Sequence, residues 1–194
     1  MTDPAAPRHR MTVEEFLAWA ETQEEPYELE DGVPVPLWPR DPAQPRMMAP
    51  PSRRHQRIVR NIELVLESRV RPPCWVAAGI GVRLADERSR VPDVLAACVE
   101  HDEAANLVDE PALLVEVLSP RNEGTDRTVK LDEYKALPSV REIWLVASTR
   151  RWAQVWRREA DTWIGVDLIG RGTIESPWLA SQVPLDELYA GVNL

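Results

Sequence analysis

The chain has 194 residues, 44% of them hydrophobic and 28% charged, with a formal net charge of −9. That length supports one domain with its own core. No apolar run approaches the roughly 20 residues a membrane span needs, and Met1 to Arg10 lacks the apolar middle of a secretory signal, so the sequence reads as that of a cytoplasmic protein. The acidic balance argues against broad nonspecific adhesion to nucleic acid, while a local basic face remains compatible with it.

Residues 1–10 read as a flexible tail, and residues 11–194 as a single domain. Thr12-Val-Glu-Glu15 is a capping box that opens a short helix to about Glu21. Pro26 to Val33 reads as strand, Asp31-Gly32 turn, strand. Seven of the 18 prolines fall between Pro34 and Pro51, which predicts an extended loop rather than a strand. Ser52 caps a helix from Arg53 to about Val70, with Ile58, Ile62, Val65 and Leu66 on one stripe. Trp75–Leu84, Val91–Val99 and Ala112–Leu118 read as strands, and Thr125–Leu137 as a helix ended by Pro138. Glu142–Ala147 is a buried-type strand, Trp152–Arg158 and Thr162–Ile169 form a hairpin, and Pro184–Tyr189 is a short helix. The order predicts an α/β (α+β-like) fold, a mixed central sheet flanked by helices, with the strands of residues 91–99 and 112–118 as neighbours. Cys74 and Cys98 have no metal-ligand spacing, and Cys98, in an apolar run, reads as a reduced core residue. Trp152 and Trp156 share a face of the late hairpin by period two; an exposed aromatic row there would favour a homodimer surface over base stacking.

Three residues stand out from this pattern. Asp93 opens an apolar run after Pro92, Glu116 sits inside Leu113-Leu-Val-Glu-Val-Leu118, and Lys130 comes on the next helix. Two converging carboxylates can hold a hard divalent cation, and a nearby lysine can orient water or offset charge on an anionic transition state. A carboxylate in a buried strand costs several kcal/mol unless it is paired or metal-bound. Of the 23 basic residues only Lys130 and Lys135 are lysines, so a lysine at a candidate site is informative. Each residue also has a plainer reading: Asp93 as a turn cap, Glu116 as a water-facing acid of an edge strand, Lys130 as one end of an ion pair with Asp126 on a solvated helix face. Asp126, Lys130 and Tyr134 share that face by i,i+4 spacing. Arg53, Arg57 and Arg60 recur on one side of the long helix and suit phosphate contact, or simply a solvated face.

The chain resembles the Uma-type endonuclease family of the PD-(D/E)xK restriction-endonuclease-like superfamily, over about Met11 to Leu188. The resemblance rests on Met11-Thr-Val-Glu-Glu-Phe16, Tyr27-Glu-Leu-Glu-Asp-Gly32, Ala49-Pro-Pro-Ser-Arg-Arg-His55, Arg90-Val-Pro-Asp93, Val115-Glu-Val-Leu-Ser-Pro120 and Asp126…Lys130…Tyr134. It implies a restriction-endonuclease-like core with Asp93 and Glu116 as metal ligands, the Val117 carbonyl as a further ligand, Mg²⁺ or Mn²⁺ as cofactor and DNA as substrate. The standard motif places its lysine two residues after the second acid, where this chain has Leu118; the family pattern moves that role to Lys130. Glu28 is implied as a second-metal ligand or a partner for Lys130, with an ordinary surface acid as the alternative. His55 is implied as a contact to substrate or to the acids, with a structural histidine as the alternative. The chain departs from the family in the proline-rich Pro34–Arg46 stretch, with Trp38, which would shape an entrance or an oligomer contact. The resulting expectation is a metal-dependent DNA endonuclease acting as a homodimer or higher homo-oligomer. The rivals are a non-catalytic nucleic-acid-binding or assembly protein on the same fold, and an RNA nuclease.

Overall fold

The structure, a computed structural model, describes residues 9–37, 51–100, 103–119 and 126–194, without the side chains of Asp126 and Arg127. Of the expected tail only His9 and Arg10 are among them, and Trp38 with most of the Pro34–Arg46 stretch lies outside them. Helix α1 (Val13–Ala20) starts on the Thr12 capping box and buries Val13 and Phe16. Strands β1 (Tyr27–Glu30) and β2 (Val33–Pro36) form a hairpin. Its two turn residues, Asp31 and Gly32, have φ of 48° and 75°, the left-handed pair that a two-residue hairpin turn needs. Pro34 and Pro36, expected in a loop, belong to β2; this is tolerated because β2 is an edge strand with no further neighbour to hydrogen-bond.

Helix α2 (Arg53–Glu67) is capped by the Ser52 side chain and buries His55, Ile58, Val59, Ile62, Val65 and Leu66. The stretch expected as one strand over Trp75–Leu84 is two, β3 (Trp75–Ala78) and β4 (Gly81–Ala85), which belong to different sheets. The break falls at Gly79, whose φ of 69° lies in the left-handed region and whose Cβ position is open space, so glycine is there for its backbone freedom. Strands β5 (Arg88–Arg90) and β6 (Val94–Ala97) come next, then β7 (Leu107–Val108) and β8 (Pro111–Leu118). Val91, Pro92 and Asp93 precede β6 rather than lying within it. A π-helical turn (Asp126–Lys130) runs into α3 (Leu131–Ala136), where one regular helix was expected. The remainder is β9 (Glu142–Ala147), β10 (Trp152–Glu159), β11 (Thr162–Ile169), β12 (Thr173–Ser176), β13 (Ser181–Pro184) and α4 (Leu185–Leu188).

The main sheet is mixed and six-stranded, in the order β11-β10-β9-β8-β6-β3, with only β8 and β9 parallel. A second sheet has the order β2-β1-β5-β4-β7. Alternation along β8 and β9 splits the core. Leu113, Val115, Val117, Trp144 and Val146 pack with α2, α4 and the β12–β13 pair, while Leu114, Leu118, Ile143 and Leu145 pack with α3 and with Val82 of β4. β8 is central and every one of its residues is buried, so the edge-strand reading of Glu116 does not hold. Cys74 and Cys98 form a disulfide, correcting the expectation of a reduced core thiol at Cys98. The pairing of Trp75 with Ala97 across β3 and β6 brings them opposite, a long-range register their sequence spacing does not reveal.

The tryptophans of the β10–β11 hairpin do not form a fully exposed row: Trp152 is buried and Trp156 and Trp163 are half-buried. Lys135 lies over the Trp156 ring at 3.2 Å, and the Trp163 indole N–H donates to the Lys135 carbonyl. Arg158 donates to the carbonyls of Lys135, Leu137 and Val140, so the hairpin caps the C-terminal end of α3.

Candidate active site

The apolar run of β8 fixes one carboxylate at the centre of the main sheet. Glu116 is 3% exposed and, by the alternation of β8, faces α3. From that helix the Tyr134 hydroxyl donates to Glu116 Oε1 at 2.7 Å, and Lys130 Nζ, at the end of the π turn, donates to the same oxygen at 3.4 Å. Leu118, at the standard motif's lysine position, is 2% exposed and packs in the core on this side. The Lys130 ammonium therefore arrives from the helix rather than from the strand.

Glu28, on β1, completes the lysine's surroundings. Its Oε1 accepts from Lys130 Nζ at 3.2 Å and from the Val91 N–H at 2.9 Å, and its residue is 6% exposed. The plain reading of Glu28 as a surface acid, and of Lys130 as a member of a solvated face, does not describe these side chains.

Asp93 is placed from the other side of the ladder. Val94 pairs with Val115, so extending that antiparallel register by one residue sets Asp93 opposite Glu116. Asp93 Oδ2 accepts from the Val117 N–H at 2.6 Å, and its Oδ1 lies 3.0 Å from His55 Nε2 in the first turn of α2. In an extended strand a residue's N–H and C=O leave on the same side, so the Val117 carbonyl is on the edge that faces Asp93. Asp126 opens the π turn, and its side chain lies outside the described residues.

Arg90 and Glu133 carry no site role in the sequence reading, yet the fold brings both to the site. Arg90 Nε and Nη2 donate to both oxygens of Glu133 at 2.8 and 3.1 Å, and Nη1 donates to Glu28 Oε2 at 3.2 Å and to Glu30. Burial works against the Arg90 charge, but the carboxylates of Glu133, Glu30 and Glu28 more than offset it and hold its pKa above the ordinary arginine range. The available signal was Arg90-Val-Pro-Asp93, which carries an arginine three residues before the acid.

The donor set suits a hard divalent cation: two carboxylates and a backbone carbonyl, all oxygen. Among the described residues no three His, Cys, Asp or Glu side chains form a ready-made metal cluster, so a cation would depend on that carbonyl and on water or substrate oxygens. Among the described residues, the largely buried acids Glu28, Glu116, Asp93 and Glu133 are paired with Arg90, Lys130, His55 and, at 3.5 Å, Arg88, so acids and cations are interleaved in one network.

Arg53, Arg57 and Arg60 are exposed on the side of α2 opposite its buried stripe. With Gln56, Asn61 and Leu64 they line an open groove of about 560 Å³. Asn61 donates to the carbonyls of Leu188 and Ala190, tying the C-terminal segment to this helix.

A mixed sheet flanked by helices, with two acids opposite each other in register at the end of a central ladder, is a restriction-endonuclease-like fold. Residues 13–182 match the model of the Uma2 family, described as "Putative restriction endonuclease", and the chain belongs to that family. It is 26% identical over 194 residues to an uncharacterized protein of Synechocystis sp. (slr1290), covering 97% of this chain and 96% of that one. Its fold is similar to the crystal structure of a protein from Anabaena variabilis described as a "putative nuclease belonging to DUF820", with a TM-score of 0.69 and 20% identity over 93% of this chain and 98% of that one. No helix among the described residues is long and apolar enough to cross a membrane.

Proposed function

We propose that this protein is a divalent-metal-dependent endonuclease that hydrolyses phosphodiester bonds in DNA. The observation that carries the reading is the half-buried Lys130 ammonium, shared between Glu28 at 3.2 Å and Glu116 at 3.4 Å, beside the end of the ladder whose extended register sets Glu116 opposite Asp93. A lysine partly withdrawn from water among carboxylates is costly to maintain as scaffolding alone and useful where an anion must be met. Family membership supports a nucleic acid as the substrate.

Mg²⁺ or Mn²⁺, held by Asp93, Glu116 and the Val117 carbonyl, would supply Lewis-acid charge at the scissile phosphate and lower the pKa of the attacking water. Lys130 orients that water and adds positive charge where the phosphorane-like transition state is most negative. The Tyr134 hydroxyl holds Glu116 in one rotamer, while His55 and the Val117 N–H do the same for Asp93. Glu28 keeps Lys130 from collapsing wholly onto Glu116. Arg53, Arg57 and Arg60 give the acidic chain a local cationic strip for the phosphate backbone. Cutting both strands of a duplex needs two such sites, so action as a homodimer or higher homo-oligomer belongs to the same reading.

The test is cleavage of supercoiled plasmid, single-stranded DNA and RNA with Mg²⁺ or Mn²⁺, using wild type, Glu116→Gln and Lys130→Ala. Cleavage of DNA lost in both variants supports the reading. Nucleic-acid binding that survives both substitutions, without cleavage by any of the three proteins, favours a non-catalytic binding module instead.

A further inference from the structure

Lys130 is held by more than the carboxylates it touches, and the role inferred here for its neighbour Arg90 rests on the catalytic role proposed for Lys130. Arg90 ends β5, is 4% exposed, and has carboxylates on both sides of its guanidinium. One edge grips Glu133 with two parallel hydrogen bonds. The remaining nitrogen meets Glu28 and Glu30 on β1. Both links end next to Lys130. Glu28 uses its other oxygen to accept from the Lys130 ammonium, and Glu133 sits on α3 between Lys130 and Tyr134. Arg88 adds a weaker contact to Glu133 at 3.5 Å and pairs with Asp31. The second sheet, which contributes β1 and β5, is thereby fastened to the helix that delivers the lysine.

We propose that Arg90 is the positioning residue that aims Lys130 into the site, through Glu28 on one side and Glu133 on the other. By taking the second oxygen of Glu28 it leaves the ammonium shared with Glu116 instead of captured by Glu28. By anchoring Glu133 it fixes the pitch at which the π turn leaves Lys130. A lysine at position 90 keeps the charge but cannot hold two carboxylates in the fork geometry this arrangement uses.

The chain's two lysines make the test direct. Lysine labelled with ¹³C at Cε gives two side-chain environments, separated by assignment with Lys135→Arg. Lys135 lies against Trp156 and serves as the internal control. The variants are Arg90→Lys and Glu133→Gln; the second cuts a single link and keeps Arg90 paired with Glu28 and Glu30, so it tests the idea even where the first perturbs folding. The expected result is that the Lys130 order parameter falls well below its wild-type value in both, into the flexible range below about 0.6, with Lys135 unchanged. In parallel, kcat for DNA cleavage drops roughly 100-fold while KM stays within about twofold. A Lys130 as rigid in both variants as in wild type overturns the inference. A mobile Lys130 with undiminished cleavage upholds the positioning role of Arg90 and overturns the catalytic role of Lys130. With no cleavage even by wild type, the order parameters still decide the question of Arg90.

Discussion

Glu116 and Glu142 are the same residue type on adjacent parallel strands of one sheet, 3% and 2% exposed. They point to opposite faces and have opposite company. Glu142 accepts from the Ser176 hydroxyl, the Trp178 N–H and the Trp144 indole, all neutral donors, with Arg157 across the ladder adding only a weaker attraction. Glu116 accepts from Tyr134 and from a lysine that a second carboxylate also claims. Glu142 ties the β12–β13 turn to the sheet. Glu116 sits in a network of charged partners, sharing Lys130 with Glu28. Burial of an acid is therefore not what marks a site; the charge and competition among its partners are.

The largest effect should come from separating the two. Glu116→Gln is expected to reduce divalent-dependent cleavage by roughly 10²–10³-fold while changing stability by no more than about 1 kcal/mol, measured by plasmid cleavage and urea unfolding. Glu142→Ala should do the reverse. It strands three buried donors, so unfolding stability should fall by about 3 kcal/mol with cleavage per folded molecule retained. If both substitutions acted alike, the distinction between the two carboxylates would collapse.

Subtler changes sharpen it. Tyr134→Phe removes the 2.7 Å hydrogen bond that orients Glu116 and should lower kcat about tenfold, read in steady-state kinetics. The pH dependence of stability isolates Glu142. Burial raises its pKa above the ordinary 4.5, against the pull of its three donors. A folded-state pKa above the unfolded one gives a contribution that is full below about pH 4.5 and is lost as pH rises through the raised value. Wild type should therefore lose stability across that window relative to its value at pH 4.5, and Glu142→Gln should lack that component in matched unfolding curves. The smallest effect is expected on the groove: Arg57→Ala should weaken DNA binding a few-fold for every sequence and lower the salt slope by about 1, measured by titration at several salt concentrations.

Much of this contrast is legible in the sequence, and the illegible part has a common cause. Signals that are local in sequence carry through: the Thr12 capping box, the Ser52 cap, the apolar run around Glu116, and the two long strands of the late hairpin. Features made by distant pairing do not. β5 is the polar triplet Arg88-Ser89-Arg90, with no apolar alternation of its own, and is a strand because β1 and β4 flank it. Gly79 divides what periodicity joins. Glu142 stands in a run as apolar as that of Glu116, and only the fold shows that neutral donors from residues 144, 176 and 178 surround it. Arg90 lies within a stretch that carries the family resemblance, but its three carboxylates come from β1 and α3, so its place in the network is a property of the tertiary fold.

The most direct measurement is calorimetric titration of Mn²⁺ and Mg²⁺ into wild type, Glu116→Gln and Glu142→Gln. The expected result is saturable binding to wild type and to Glu142→Gln, with binding to Glu116→Gln weakened beyond detection. Equal binding to all three proteins, or none to wild type, would contradict the assignment of Glu116 as a metal ligand and the endonuclease reading built on it.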